Sequence, residues 1–138
     1  DKLSITDQDA QIIDGTQALE AAGARRPRLF RPPYGAATPH AWKVTRRLGQ
    51  LGVMWTVDSK DYTGISADQI TQNVLSAVTP GAIVLMHDGG GVRAPTVAAV
   101  PKIIKALRKQ GYRFVTVPEL IADNPPPPGQ KLPGEYAP

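Results

Sequence analysis

The chain has 138 residues, 41% apolar and 20% charged, with 16 basic against 12 acidic side chains and no cysteine. That length suffices for one domain with a real core, and the composition argues against disorder and excludes disulfides, thiolate metal sites and a cysteine nucleophile. A net charge of +4 with only two Trp, four Tyr and two Phe lacks the aromatic-studded basic face of a nucleic-acid reader, and no apolar run is long enough to span a membrane. No basic and apolar leader opens the chain, so any signal peptide is expected to have been removed or left out.

Ser4 or Thr6 caps a first helix with Ile12, Ile13, Thr16 and Leu19 at helical spacing, and Gly23 stops it. Leu29 to Arg31 reads as a short strand ended by Pro32-Pro33. Thr38-Pro39 opens a second helix, with a capping Thr and Pro at the first helical position. Val53 to Val57 is the second expected strand. Ser66-x-x-Gln69 forms a capping box ahead of Ile70, Val74, Ala77 and Val78. Pro80-Gly81 turns into a third strand, Ala82 to Met86, apolar on both faces like a buried parallel strand. Gly89 to Gly91 reads as a mobile loop, and Pro95 to Gln110 as a helix that Pro101 bends or delays. Tyr112 to Thr116 is the fourth expected strand and Val117 to Ala122 a short helix. From residue 123 the composition turns Pro-rich, as in an extended tail or linker. Alternating strands and helices imply an α/β fold with a parallel sheet, and four strands are too few to close an eight-stranded barrel.

Ligand and catalytic sites of such folds lie at the carboxyl ends of the strands. After the first strand, Arg31 is a permanently charged, bidentate donor. The prolines stiffen a turn in which Tyr34 and Gly35 present backbone N–H groups, the donors an oxyanion hole needs; a proline-rich loop with a structural arginine is the alternative. At the end of the second strand comes Trp55-Thr56-Val57-Asp58-Ser59-Lys60-Asp61-Tyr62. Its two carboxylates suit orientation of a catalytic group, and its aromatic suits a sugar-stacking wall; an ordinary acidic loop would read the same. After the third strand sits His87, well suited to act as a general acid near neutral pH, with a satisfied structural histidine as the alternative. His40 falls in a first helical turn and reads as structural or solvent-exposed. The triple glycine lacks the spacing of a phosphate-binding loop.

Together these segments resemble the polysaccharide deacetylase family, the carbohydrate esterases of family 4 with a NodB-homology domain. Arg28-x-x-Arg31-x-Pro33-Tyr34 looks like the family's third motif. Asp58-x-x-Asp61-Tyr62 looks like its fourth, with Tyr in place of Trp, and Leu85-x-His87 like its fifth. The resemblance covers residues 1–122 and implies the later part of a distorted (β/α) barrel with parallel strands, its first strands missing from this chain. Residues 123–138 would be a tail. The implied reaction is metal-dependent removal of acetyl groups from N-acetylated sugars of chitin or peptidoglycan type, or from acetylated xylan, by a secreted or cell-envelope protein.

In that reading the catalytic residues are His87, as the acid that protonates the leaving group, Asp58, which orients it, Arg31, which holds the base, and Tyr34, which lends its N–H to the oxyanion. Leu85 would line the acetyl pocket, while Asp61, Tyr62 and Trp55 shape the substrate groove. The family's first motif, with the base and a metal ligand, and its second, with two histidine ligands, do not occur in this sequence. The divalent metal, often zinc, would therefore have no ligands here, and the chain alone is expected to be inactive. The implied partner is an acetylated polysaccharide or oligosaccharide, and the N-terminal half of the domain would have been removed by truncation or proteolysis or would be supplied as a separate chain. A non-catalytic glycan-binding module using Tyr34, Trp55 and Tyr62 is the competing reading, and a nucleotide binder a distant third.

Overall fold

The computed structural model describes residues 2–125. The fold is α/β, with helices alternating with short parallel strand pairs, and the chain forms two compact units that divide after Met54.

In the first unit, α1 (Ile5–Ala21) starts where the Ser4 hydroxyl accepts the Asp7 N–H. It ends at Gly23, whose φ of 86° suits a residue without a side chain. β1 (Leu29–Phe30) and β2 (Leu51–Gly52) pair in parallel, with Leu29 opposite Leu51. Between them runs α2 (Pro39–Arg47), capped by the Thr38 hydroxyl. Ile12, Ala41 and Val44 form the buried centre, with Ile13, Phe30, Ala37 and Leu48 packed on it. The Trp42 ring stands edge-on to Phe30 at 6.4 Å and lies over Gly52, where an added Cβ would come within 2.3 Å of the ring. Gly52 is thus required by close approach rather than by backbone conformation.

In the second unit, β3 (Val57–Asp58) pairs in parallel with β4 (Val84–Leu85). Between them lies α3 (Ala67–Ala77), which begins with the complete Ser66–Gln69 capping box. After β4 come α4 (Ala94–Lys109) and α5 (Val117–Asp123). Val57, Ile70, Val74, Ala99, Ile103 and Leu107 make the core, so α3 and α4 bury their apolar stripes against each other beside the β3 strand.

Three expectations change. The anticipated strand Val53 to Val57 does not exist as one element. The backbone at Leu51 and Val53 bonds to Arg28 and Phe30, while that at Thr56, Val57 and Ser59 bonds to Ile83 and Leu85, so two ladders replace one. Tyr112 to Thr116 forms no strand; the Tyr112 N–H closes the end of α4 on Leu107, and no described strand pairs with the segment. Pro101 does not delay α4, which begins at Ala94 and runs through it. The Pro-rich tail expected over residues 123–138 lies outside the described residues from 126 onward, and Asp123 still belongs to α5.

Candidate active site

At the end of β1 in the first unit, Pro32 is buried and extended (φ −65°, ψ 140°) and leads into a 3-10 turn at Pro33–Gly35. The turn's two hydrogen bonds are donated by Gly35 to Pro32 O and by Ala36 to Pro33 O. The Tyr34 N–H takes no part in them. Tyr34 has φ 57°, a left-handed conformation that costs a residue with a side chain about 1–2 kcal/mol. Its side chain is fully exposed, so no packing compensates for that cost. Beside the turn is an apolar cleft of about 280 Å³, walled by Leu3, Ile12, Phe30, Pro33 and Ala37. Arg31 projects from the same turn, exposed and without a partner among the described residues.

The second unit builds a tighter constellation at the ends of β3 and β4. Asp58, the last residue of β3, accepts the Lys60 N–H at 2.9 Å, the Lys60 ammonium at 2.7 Å and the Tyr62 hydroxyl at 3.1 Å. Partial burial by itself would push the Asp58 carboxyl up, but these donors outweigh it and hold it below the usual value. Lys60 is itself left-handed, at φ 59°. That reversal turns Asp61 inward, at the start of a 3-10 turn over Asp61–Thr63.

The Asp61 side chain is completely buried. Its Oδ1 meets His87 Nδ1 at 2.7 Å, and its Oδ2 accepts the His87 N–H at 2.7 Å and the Thr96 hydroxyl at 3.1 Å. Burial raises the Asp61 carboxyl, yet the His87 ring, the His87 N–H and Thr96 together bring it below its ordinary value. An ionised carboxylate only accepts, so His87 Nδ1 carries the proton of this bond. Nε2 is then left without a partner among the described residues, on a ring about one third exposed. The Tyr62 ring stands edge-on to it at 5.4 Å.

These contacts correct the expected division of labour. Asp61, not Asp58, is the carboxylate on His87. Asp58 is occupied by Lys60 and Tyr62, because the left-handed Lys60 folds the loop back on the strand end. Asp61 cannot shape a substrate groove, since no part of its side chain reaches solvent. Leu85 is buried, 5% exposed, with its carbonyl accepting the Ser59 N–H. Trp55 is half-buried and Tyr62 exposed. His87, Asp58, Asp61 and Tyr62 are gathered in the second unit, and Arg31 and Tyr34 share one turn of the first. His40 is a structural histidine, paired through Nε2 with Asp9 of α1.

Two residues escaped the sequence reading. Thr96 and Arg93, at the start of α4, hold the Asp61 turn, and Arg93 also ties down the glycine loop expected to be mobile, donating to the carbonyls of Gly89 and Gly90 at 2.9 Å each. The only signal available was a Thr and an Arg flanking a helix start after three glycines. Among the described residues no three His, Cys, Asp or Glu side chains gather where they could hold a metal ion. The described residues thus do not themselves form a site for the divalent metal that the resemblance implies. No described helix is long and apolar enough to cross a membrane.

The polysaccharide deacetylase family model matches residues 1–53. A peptidoglycan-N-acetylglucosamine deacetylase of Bacillus cereus is 41% identical over 112 residues, covering 80% of this chain and 52% of the relative. Among solved structures, a family 4 carbohydrate esterase from Streptomyces lividans in complex with acetate superposes with a TM-score of 0.72 at 37% identity, over 80% of this chain and 55% of that one. A family 4 pseudoenzyme from Bacillus anthracis superposes with a TM-score of 0.80 at 32% identity, over 87% of this chain and 41% of the other. The chain therefore belongs to the polysaccharide deacetylase family, the NodB-homology carbohydrate esterases of family 4. It spans about half the length of the Bacillus cereus relative.

Proposed function

We propose that this chain carries the acid and oxyanion groups of a deacetylase acting on N-acetylated sugars of chitin or peptidoglycan type or on acetylated xylan, with an N-acetylglucosamine polymer of peptidoglycan type as the first substrate to test. The observation that carries this reading is the Asp61–His87 pair at the carboxyl ends of β3 and β4. With Nδ1–H fixed on a buried carboxylate, a protonated ring has one proton left to give, on Nε2, and that nitrogen is the one without a protein partner. Collapse of a tetrahedral intermediate needs that donor: an amine leaves an amide, or an alkoxide leaves an ester, only as the proton arrives. Asp61 stabilises the imidazolium before transfer and fixes the ring's orientation throughout.

The Tyr34 N–H, held in strain and outside the turn's own hydrogen bonds, is the proposed oxyanion donor, an assignment that uses the backbone and not the phenol. Arg31, unpaired here, is proposed to steady the general base by its fixed charge. Tyr62 and Trp55 offer aromatic faces for sugar rings, and Leu85 the apolar wall for the acetyl methyl. Asp58 takes a supporting part, holding Lys60 and Tyr62 in place.

In this reading residues 1–122 are the later part of a distorted (β/α) barrel whose first strands, general base and metal ligands lie outside these residues, and 123–138 is a linker. The protein works in the cell envelope or beyond it, and the first half of the domain is its partner. The 138-residue chain by itself does not deacetylate; turnover of acetylated chito-oligosaccharide by the pure chain would overturn that.

The decisive experiment supplies the chain with the portion of the Bacillus cereus relative that lies outside the match and follows acetate release. His87→Ala should lower kcat by about 10²–10⁴-fold, the span of lost general acid catalysis, with glycan affinity little changed. Full activity without His87 would remove the assignment. A family member that has lost catalysis supports a second reading, a glycan-binding module; it predicts binding unaffected by His87→Ala and no acetate release under any complementation.

A further inference from the structure

The deacetylase reading places the acid in the loop after β4 and its carboxylate partner in the loop after β3, 26 residues away in sequence. Something must hold these loops together, because neither is a regular element at the point of contact. The opening turn of α4 meets both. Thr96 is 4% exposed, and its hydroxyl donates to Asp61 Oδ2 rather than to its own helix. Arg93, the residue before α4, spreads its guanidinium over three carbonyls: Nε to Gly89 at 2.9 Å, Nη2 to Gly90 at 2.9 Å and Nη1 to Asp61 at 3.2 Å. One planar fork thus bridges the loop that follows His87 to the turn that carries Asp61. A lysine, with its donors at a single point, cannot span the same three acceptors.

We propose that Thr96 and Arg93 are positioning residues for the Asp61–His87 pair, Thr96 acting through the carboxylate and Arg93 through the backbone of the two loops. This rests on the assignment of His87 as the acid, but the geometry acts on the hydrogen bond itself. Without the Thr96 hydroxyl, Oδ2 keeps only the His87 N–H, and a buried oxygen short of donors draws the side chain away from the ring. Without the fork, Gly89 to Gly91 are released. Gly90 and Gly91 have positive φ (74° and 126°), conformations in which a chain lacking side chains has many alternatives.

The test uses the uniformly ¹⁵N-labelled 138-residue chain and reads the His87 Nδ1 proton by NMR, its shift and its exchange with water, together with the backbone amides of Gly89 to Gly91. In the unmodified chain the proton should be far downfield and protected. Thr96→Val should accelerate its exchange by about tenfold or more, the factor expected from losing one hydrogen bond to a charged acceptor, while Thr96→Ser restores it. Thr96→Ala, free of any crowding by the valine methyl, should behave like Thr96→Val. Arg93→Lys should speed amide exchange at Gly89 to Gly91 by a similar factor and carry the His87 proton with it. A wild-type proton signal and exchange in Thr96→Val or Thr96→Ala, or failure of serine to restore them, overturns the role of Thr96. Unchanged exchange in Arg93→Lys overturns that of Arg93. If the complemented enzyme keeps its activity in His87→Ala while these exchange effects hold, the acid assignment falls and the positioning stands; the reverse pattern removes the positioning alone.

Discussion

Replacing Asp61 with asparagine tests the centre of the proposed site with almost no change of shape. The carboxylate accepts three hydrogen bonds, two from His87 and one from Thr96. Asparagine turns one of those oxygens into a group that only donates. With its oxygen kept toward the His87 N–H and Thr96, the amide NH₂ faces His87 Nδ1, and the ring must become neutral with Nδ1 as acceptor. That orientation sacrifices one charge-assisted bond, about 1.5–3 kcal/mol. For a chain of this size the loss corresponds to a fall in Tm of about 5–15 °C. Urea unfolding should show a lower midpoint with the slope unchanged, and the downfield Nδ1 proton should vanish.

The difference depends on pH with a definite sign. Although burial raises it, the His87 ring, the His87 N–H and Thr96 hold the Asp61 carboxyl below its ordinary value in the folded chain. Its stabilising contribution is therefore complete above that value and is lost as pH falls through the lower, folded one. Wild type and Asp61→Asn should differ fully near neutrality and converge in strong acid. A difference below about 0.5 kcal/mol near neutrality, within the range of an unimportant surface change, would refute the reasoning, as would a difference that grows on acidification.

Gly52→Ala should destabilise the first unit by about 1–3 kcal/mol, since its Cβ would meet the Trp42 ring at 2.3 Å; a urea midpoint equal to wild type would show that the ring yields freely. Tyr34→Gly should stabilise the chain by about 1 kcal/mol by relieving the left-handed strain, and because it keeps the backbone N–H it should leave acetate release by the complemented enzyme intact; a large loss of kcat would move the function to the phenol. Ser66→Ala removes half of a capping box and should cost about 1 kcal/mol, read from the same unfolding curves, with no change at the His87 proton.

Helix starts were legible because they are local. Ser4, Thr38 and Ser66 lie within three residues of the N–H groups they accept, and chain neighbours alone impose that geometry. The chemically capable strand ends were legible too, since an apolar run that stops at Asp58 or His87 announces a buried strand meeting solvent. Pairing was not. Whether Leu51 or Val57 joins a given ladder depends on partners about 20 to 30 residues away, as does the absence of any ladder at Tyr112 to Thr116.

The choice between Asp58 and Asp61 shows the limit most clearly. Both carboxylates are in one short loop, both could orient a histidine, and residue types do not separate them. A left-handed lysine between them sends one to a surface ammonium and the other into the interior, where His87 and Thr96 supply its donors. The sequence by itself determined that carboxylates and a histidine end apolar strands of a parallel α/β fold, and its family resemblance implied that a carboxylate orients the histidine. Only tertiary structure decided which carboxylate, because a buried charge persists only where separate segments of the chain bring enough hydrogen bonds to offset its lost hydration.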